Sequence, residues 1–253
     1  MAQTSSGAAA RGPQLSACGL HLLAMALMLC DHLWATVVPG NEWLTCLGRL
    51  AFPIFAFLLV EGYFHTRSLK RYAGRLALCA LLSEVPFDLV MGGTVFYPFH
   101  QNVLWTLLLG LGLIHLNERA RASGRLWRRA AAAALSVLLA LVLGLALMVD
   151  YHCAGLFTIL AFYAFRGRRW PCLAGQLAAL GWINLSLLAG YSYQIVLAGH
   201  TFWLPQQGFA LLALIPIWLY RGRQGPHGRA LRLLFYGFYP LHLLVLGLWL
   251  LLR

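Results

Sequence analysis

Charge is what this chain lacks. Only 10% of its 253 residues are Asp, Glu, Lys or Arg, against about a quarter in soluble domains. Acid is scarcer than base: seven Asp and Glu stand against 19 Lys and Arg, a formal +12, and the one lysine is Lys70. So little charge excludes a cytosolic enzyme and a solvated disordered chain. The six cysteines, Cys18, Cys30, Cys46, Cys79, Cys153 and Cys172, show no CxxC or Cys/His spacing. That argues against a zinc site or a disulfide-knit secreted module. They read as small apolar packing residues; Cys46 and Cys153 both fall near the outer face in the topology below, which leaves a bridge between them open, though nothing in the sequence supports it. The chain also has no Gly-rich nucleotide loop, no internal repeat and no linker long enough to divide it.

What it has is apolar surface. Hydrophobic residues make up 61%, and the mean hydropathy is +0.73. The solvent this implies is lipid. Nine segments read as membrane crossings: 20–38, 43–63, 72–91, 103–116, 130–149, 154–165, 172–189, 209–220 and 231–252. Segment 191–203 is aromatic and weakly apolar, so an external loop, a re-entrant piece and a tenth span all stay open. The basic residues sort by side. With the N-terminus inside, nine crossings gather Arg11, then Arg67, Lys70, Arg71 and Arg75, then Arg119, Arg121, Arg125, Arg128 and Arg129, then Arg166, Arg168 and Arg169, then Arg221, Arg223, Arg229 and Arg232 on the cytoplasmic side. Only Arg49, within a span, and Arg253, at the end, fall elsewhere. This positive-inside sorting predicts an all-α polytopic helical bundle of about nine transmembrane helices, N-terminus in and C-terminus out. Its basic loops orient the chain rather than bind nucleic acid. Residues 1–19 read as a disordered cytoplasmic tail and 20–253 as a single transmembrane domain.

Ionisable groups inside the spans are costly, about 3 kcal/mol each at mid-membrane, so they face the bundle interior. Asp31, Glu61, Glu84, Asp88 and Asp150 lie within or at the end of spans, with His32, Arg49 and His242. Counted along alternating crossings, Asp31, His32, Arg49, Glu84, Asp88, Gln101, Asn102, Thr106, Asp150 and Tyr151 meet at one depth in the outer half. Asp31 and His32 are adjacent and point about 100° apart, so one is expected to brace Arg49 while the other faces a cavity. Glu84 and Asp88 share a helix face at i, i+4. Pro53 and Pro86 are expected to interrupt two of these helices. Glu61 and His65, near the inner face, form a simple i, i+4 pair. His100, His115, His152, His200 and His227 read as interfacial.

The stretches MALMLCDHLW, GRLAFPIFAFLLVEGYFHTRS, RLALCALLSEVPFDLV and QNVLWTLLLG, and more weakly DYHCAG and FYGFYPLHLLVLGL, resemble the TraX family of bacterial membrane proteins. The family's named member is linked to N-acetylation of conjugative pilin subunits. The family is also similar to integral-membrane acetyltransferases of the acyltransferase-3 group, in which a first-span histidine is thought to be catalytic. Carried over by position, the resemblance implies roles for Asp31, His32, Arg49, Glu61, His65, Arg67, Glu84, Asp88, Gln101, Asn102, Thr106, Asp150, Tyr151 and His242. One departure is His152, where glycine is expected after the Asp-Tyr pair.

Both lines converge on acyl transfer in the bacterial inner membrane. Acetyl-CoA would arrive from the cytoplasm, its phosphates meeting Arg67, Lys70 and Arg71, with Arg75 or the basic loop at 119–129 as a further contact. His32 would act as base, Glu84 or Asp88 would hold the imidazole or an ammonium, and Arg49, Gln101 or Asn102 would stabilise the oxyanion. The acceptor, an exported peptide or envelope glycan, would come from outside. Direct transfer and an acetyl-histidine route both stay open. The rival is a proton-coupled carrier using the same groups.

Overall fold

The computed structural model describes residues 14–188, 190–197, 199–226 and 228–253. Most of the expected tail, Arg11 and His227 lie outside the described residues. Each of the nine apolar segments is helical. The helices are α1 (Ala17–Thr36), α2 (Glu42–Gly48), α3 (Ala51–His65), α4 (Leu69–Met91), α5 (Val103–Ala122), α6 (Leu126–Ala146), α7 (His152–Ala164) and α8 (Trp170–Trp182), which continues as a π-helical turn, Ile183–Leu187. A 3-10 stretch, Gln206–Ala213, leads into α9 (Leu214–Leu219), and α10 (Arg229–Leu251) closes the bundle. Among the described residues, four helical stretches are long and apolar enough to cross a membrane: Ala17–Thr36, Glu42–His65, Leu126–Ala146 and Arg229–Leu251. Segment 191–203 is not a further helix. Strands β1 (Ser192–Leu197) and β2 (His200–Pro205) pair antiparallel there, Ser192 opposite Pro205 and Leu197 opposite His200.

Local chemistry starts and breaks these helices. Ser16, Ser68 and Asn102 cap α1, α4 and α5 by accepting from the amides of Gly19, Arg71 and Leu104. The second segment is two helices meeting at Arg49 and Leu50. Pro53 does not interrupt a helix as expected. It sits in the first turn of α3, where an amide proton has no intrahelical partner, so the break falls before it. Pro86 does lie inside α4. Pro240 lies inside α10, and its missing N–H frees the carbonyl of Tyr236. The Cys79 thiol of α4 donates to that carbonyl at 3.0 Å, which helps join two of the most closely packed helices. All six cysteines are free, including Cys46 and Cys153.

Helix α6 shows how the bundle treats lipid and core. Its buried stripe is Ala132, Ser136, Ala140 and Gly144, all small, while Val137, Leu138, Leu141, Val142 and Leu145 are exposed. A Cβ on Gly144 would lie 2.5 Å from the Cys153 amide nitrogen, so backbones approach here as in membrane helix pairs. Exposed large apolar residues around buried polar ones suit a lipid solvent.

Candidate active site

Two cavities meet inside the bundle. The first, about 460 Å³, lies between the N-terminal halves of α1, α4 and α10 and the C-terminal end of α3. Its wall is mainly apolar, from Met25, Leu58, Leu76, Leu107 and Phe235, and Glu61, His65, Arg75 and Arg232 are among its polar lining. The second, about 390 Å³, lies at the opposite ends of the same helices and is lined by Asp31, His32, Arg49, His100, Asp150, Tyr151 and His152. Met28, Phe55, Val103 and Tyr239 line both, so one layer of side chains divides them.

In the second cavity, the depth predicted for Asp31, His32, Arg49, Asp150 and Tyr151 becomes a shared wall. Asp31 is the acid that braces Arg49: its Oδ1 accepts from an Arg49 terminal nitrogen at 2.6 Å and from the Thr45 hydroxyl at 2.7 Å. Gly48 makes room for this, since a Cβ there would stand 2.3 Å from the Asp31 Cβ. His32 takes the other direction. Its Nδ1 lies 2.6 Å from His242 Nε2, with the rings nearly parallel. His242 Nδ1 lies 2.6 Å from the Phe238 carbonyl. A carbonyl only accepts, so His242 Nδ1 carries the proton and, in the neutral ring, Nε2 carries the lone pair. His32 Nδ1 must therefore donate, which leaves the lone pair on His32 Nε2.

The corner before α7 supplies the opposite wall. Gln101 N donates to the Met148 carbonyl and Asp150 N to the Gln101 carbonyl, and Thr106 donates to the Asp150 carbonyl. Asp150 Oδ1 accepts from the Tyr151 amide at 3.0 Å and pairs with His100 Nε2 at 3.3 Å. Tyr151 and His152 have φ of +59° and +46°, so His152 occupies a left-handed position that glycine fills at lower cost. This gives a physical reason for the glycine expected there. Tyr151 stacks on Phe52, ring centroids 4.2 Å apart.

Other sequence-predicted residues lie apart from this wall. Glu84 accepts from Trp105 Nε1 at 2.5 Å, and Asp88 is buried and caps the Tyr97 amide at 2.9 Å. Neither lines either cavity, and neither pairs with Arg49, which is taken by Asp31. Asn102 is committed to the Ala80 carbonyl and the Leu104 amide, and Gln101 to the Pro98 carbonyl. At the first cavity, Glu61 pairs with Arg166 at 2.7 Å rather than simply with His65, whose Nδ1 donates to the Glu61 carbonyl. Arg75 donates to the Tyr236 hydroxyl at 3.0 Å. Arg67, Lys70 and Arg71 are exposed near the same end. The sequence reading missed His100 and His21. His21 stacks on Phe235 in the first cavity, and only its i, i+4 spacing from Met25 hinted at an inward face.

Fold and site together define a helical membrane protein with a histidine-bearing polar pocket backed by an apolar cavity. A family model described as TraX protein matches residues 16–250, and the chain belongs to the TraX family. The chain is similar to the probable fimbrial assembly protein FimC, serogroup H1, of Dichelobacter nodosus: 28% identical over 252 residues, 93% of this chain and 96% of the relative. No solved structure matches the chain.

Proposed function

We propose that this chain is an integral-membrane acyltransferase of the bacterial inner membrane. It moves an acetyl group from cytoplasmic acetyl-CoA to an amine or hydroxyl that reaches the His32 pocket from outside. The acceptor is an exported peptide terminus, pilin-like, or an envelope glycan. The relative named for fimbrial assembly supports an exported, pilus-like peptide. Nine crossings with the N-terminus inside is the path that turns the Arg75 end to the cytoplasm and the Asp150 end outward.

The observation that carries this reading is the tautomer chain. Phe238 fixes His242, His242 fixes His32, and His32 presents an unprotonated Nε2 in a pocket it shares with Arg49. That is a base oriented before any substrate arrives. His242 acts through His32 and so is a positioning residue. Arg49, held on one side by Asp31 and Thr45, can take up negative charge developing on an acyl oxygen.

The donor fits the other cavity. A pantetheine arm is slender, and the methyl and methylene groups between its two amides suit a wall that is mainly apolar. At the mouth, neither Arg75 nor Arg232 has a carboxylate partner among the described residues, which suits phosphate oxygens. Arg67, Lys70 and Arg71 add positive potential around the entrance. When bound, the thioester supplies the activated acetyl group, and the layer of Met28, Phe55, Val103 and Tyr239 is what its tip must pass to reach His32.

The test uses purified protein in detergent, with acetyl-CoA and a short peptide bearing a free N-terminus. Acetylated peptide and released thiol are expected from the wild type and lost in His32→Ala. No acetyl-CoA binding, together with peptide flux into liposomes, would point to the carrier. Transfer that survives His32→Ala would remove the proposed base.

A further inference from the structure

The second cavity holds another histidine with a partner of its own. His100 stands on the loop between α4 and α5, and Asp150 faces it from the corner before α7. Asp150 is fixed from three directions: its amide by Gln101, its carbonyl by Thr106, and its carboxylate by the Tyr151 amide. His100 is fixed by the Phe87 ring, edge-on at 5.2 Å, and lies beside the His152 ring at 6.5 Å. With its Nε2–H turned to Asp150, the neutral ring carries its lone pair on Nδ1. Two of the three imidazoles lining this pocket are therefore oriented, each by a different hydrogen-bond partner. The acceptor reaction described so far uses only one.

We infer that His100, held by Asp150, is a second proton acceptor of this pocket and prepares an amine acceptor for attack before His32 acts. This rests on the acyltransferase reading. An amine arrives as R–NH3⁺ and cannot attack until it loses a proton. His100 takes that proton, and its imidazolium is held by the Asp150 carboxylate before the proton passes to water. The neutral amine then attacks the thioester carbonyl. The C–N bond forms, the C–S bond breaks, and sulfur leaves with the electron pair. One of the two protons on that nitrogen goes to His32 Nε2 and from there to the thiolate, and the amide keeps the other. The balance is one amide, one thiol and one proton released. A hydroxyl or an already neutral amine would need only His32.

The surroundings agree with this role. The hydrogen bond to Asp150 pushes the His100 imidazole above its ordinary value, against the effect of burial, and Glu84 of α4 adds to the rise. The other titratable groups around the cavity are His152 of α7, Tyr151 before it, Asp31 and His32 of α1, Arg49 at the α2–α3 break, and Tyr239 of α10.

The experiment compares two acceptors in the full-length protein in detergent. One is a short peptide with a free α-amine, about nine-tenths protonated at pH 7. The other is the same peptide carrying an N-terminal aminooxy group, which is neutral at that pH. His100→Gln is expected to slow transfer to the α-amine about tenfold at pH 7, the ammonium fraction setting the loss. That loss should fade as the pH approaches 9, with the aminooxy peptide nearly unaffected. Asp150→Asn should show the same pattern more weakly. Equal losses on both acceptors, or a loss that does not fade with pH, would overturn the role of His100. Wild-type protein that neither binds acetyl-CoA nor acetylates either peptide would overturn the acyltransferase reading beneath it.

Discussion

The two cavities lie back to back, yet they are built on opposite rules. The one at the Arg75 end is apolar inside and cationic at its mouth, with Arg75 held by the Tyr236 hydroxyl and the Tyr72 and Tyr236 rings rather than by an acid. The one at the Asp150 end pairs its charged groups: Arg49 with Asp31 and Thr45, His32 with His242, His100 with Asp150. A cavity whose lining carboxylate, Glu61, goes to Arg166 leaves Arg75 and Arg232 for a ligand's anion. A cavity that pairs its ionisable groups fixes protons and orientations. The contrast separates binding from chemistry, and substitutions on the two sides should therefore fail in different ways.

The largest expected effect is at the paired cavity. His32→Ala should lower kcat for acetyl transfer by about 10²–10⁴-fold while leaving the KM for acetyl-CoA near the wild-type value. Next comes stability at the same wall. Arg49→Met leaves Asp31 half-buried with only Thr45 beside it, and breaking such a pair costs about 3 kcal/mol where it is well buried. A clear drop in the detergent melting temperature is expected. Asp31→Asn, which keeps the Thr45 contact, should cost less. If both variants melt like the wild type, the pairing has no structural role. At the other cavity, Arg75→Gln with Arg232→Gln should raise the KM for acetyl-CoA by about tenfold or more, one lost charge-assisted contact being worth about 1.5–3 kcal/mol, with kcat unchanged. Added salt should weaken donor binding in the wild type and much less in the double variant. A fall in kcat instead would erase the division between the cavities.

How much of this was legible in the sequence follows from the physics of each feature. All nine apolar segments could be read because a lipid solvent demands unbroken apolar runs. The polar wall could be read because alternating crossings turn sequence position into depth, which brought Asp31, Arg49 and Asp150 together from three parts of the chain. Depth does not give azimuth. Glu84 and Asp88 lie at the right level but turn away from both cavities, and Arg49 chose Asp31 because Gly48 lets α2 close on α1. The β1–β2 pairing was not legible because the strands are short and their apolar residues, at 195–197 and 202–204, run together instead of alternating with polar ones. His100 was missed because it stands just before a helix, where a histidine looks interfacial. The Gln101–Met148 and Asp150–Gln101 backbone bonds and the Thr106–Asp150 bond, which no local pattern announces, bring it to Asp150.

The smallest effect expected is also the one that tests the paired cavity without an assay of transfer. Asp150 raises the folded-state value of His100, so the pair stabilises the fold fully below the unfolded histidine value, near pH 6.5. That contribution disappears as the pH climbs through the raised folded value. Both side chains are about 30% exposed, and a pair this open to solvent contributes up to about 1 kcal/mol. For a chain of this length that is about 2–4 °C in Tm. Followed by tryptophan fluorescence in detergent, wild-type Tm should fall by up to this amount between pH 6 and pH 8.5 relative to His100→Gln, which has no imidazole to lose. Arg75→Gln should keep the wild-type slope, because the cavity it borders pairs no histidine with the Asp150 carboxylate. Parallel slopes for wild type and His100→Gln would mean that Asp150 holds no imidazolium, and the paired cavity would then have one working histidine instead of two.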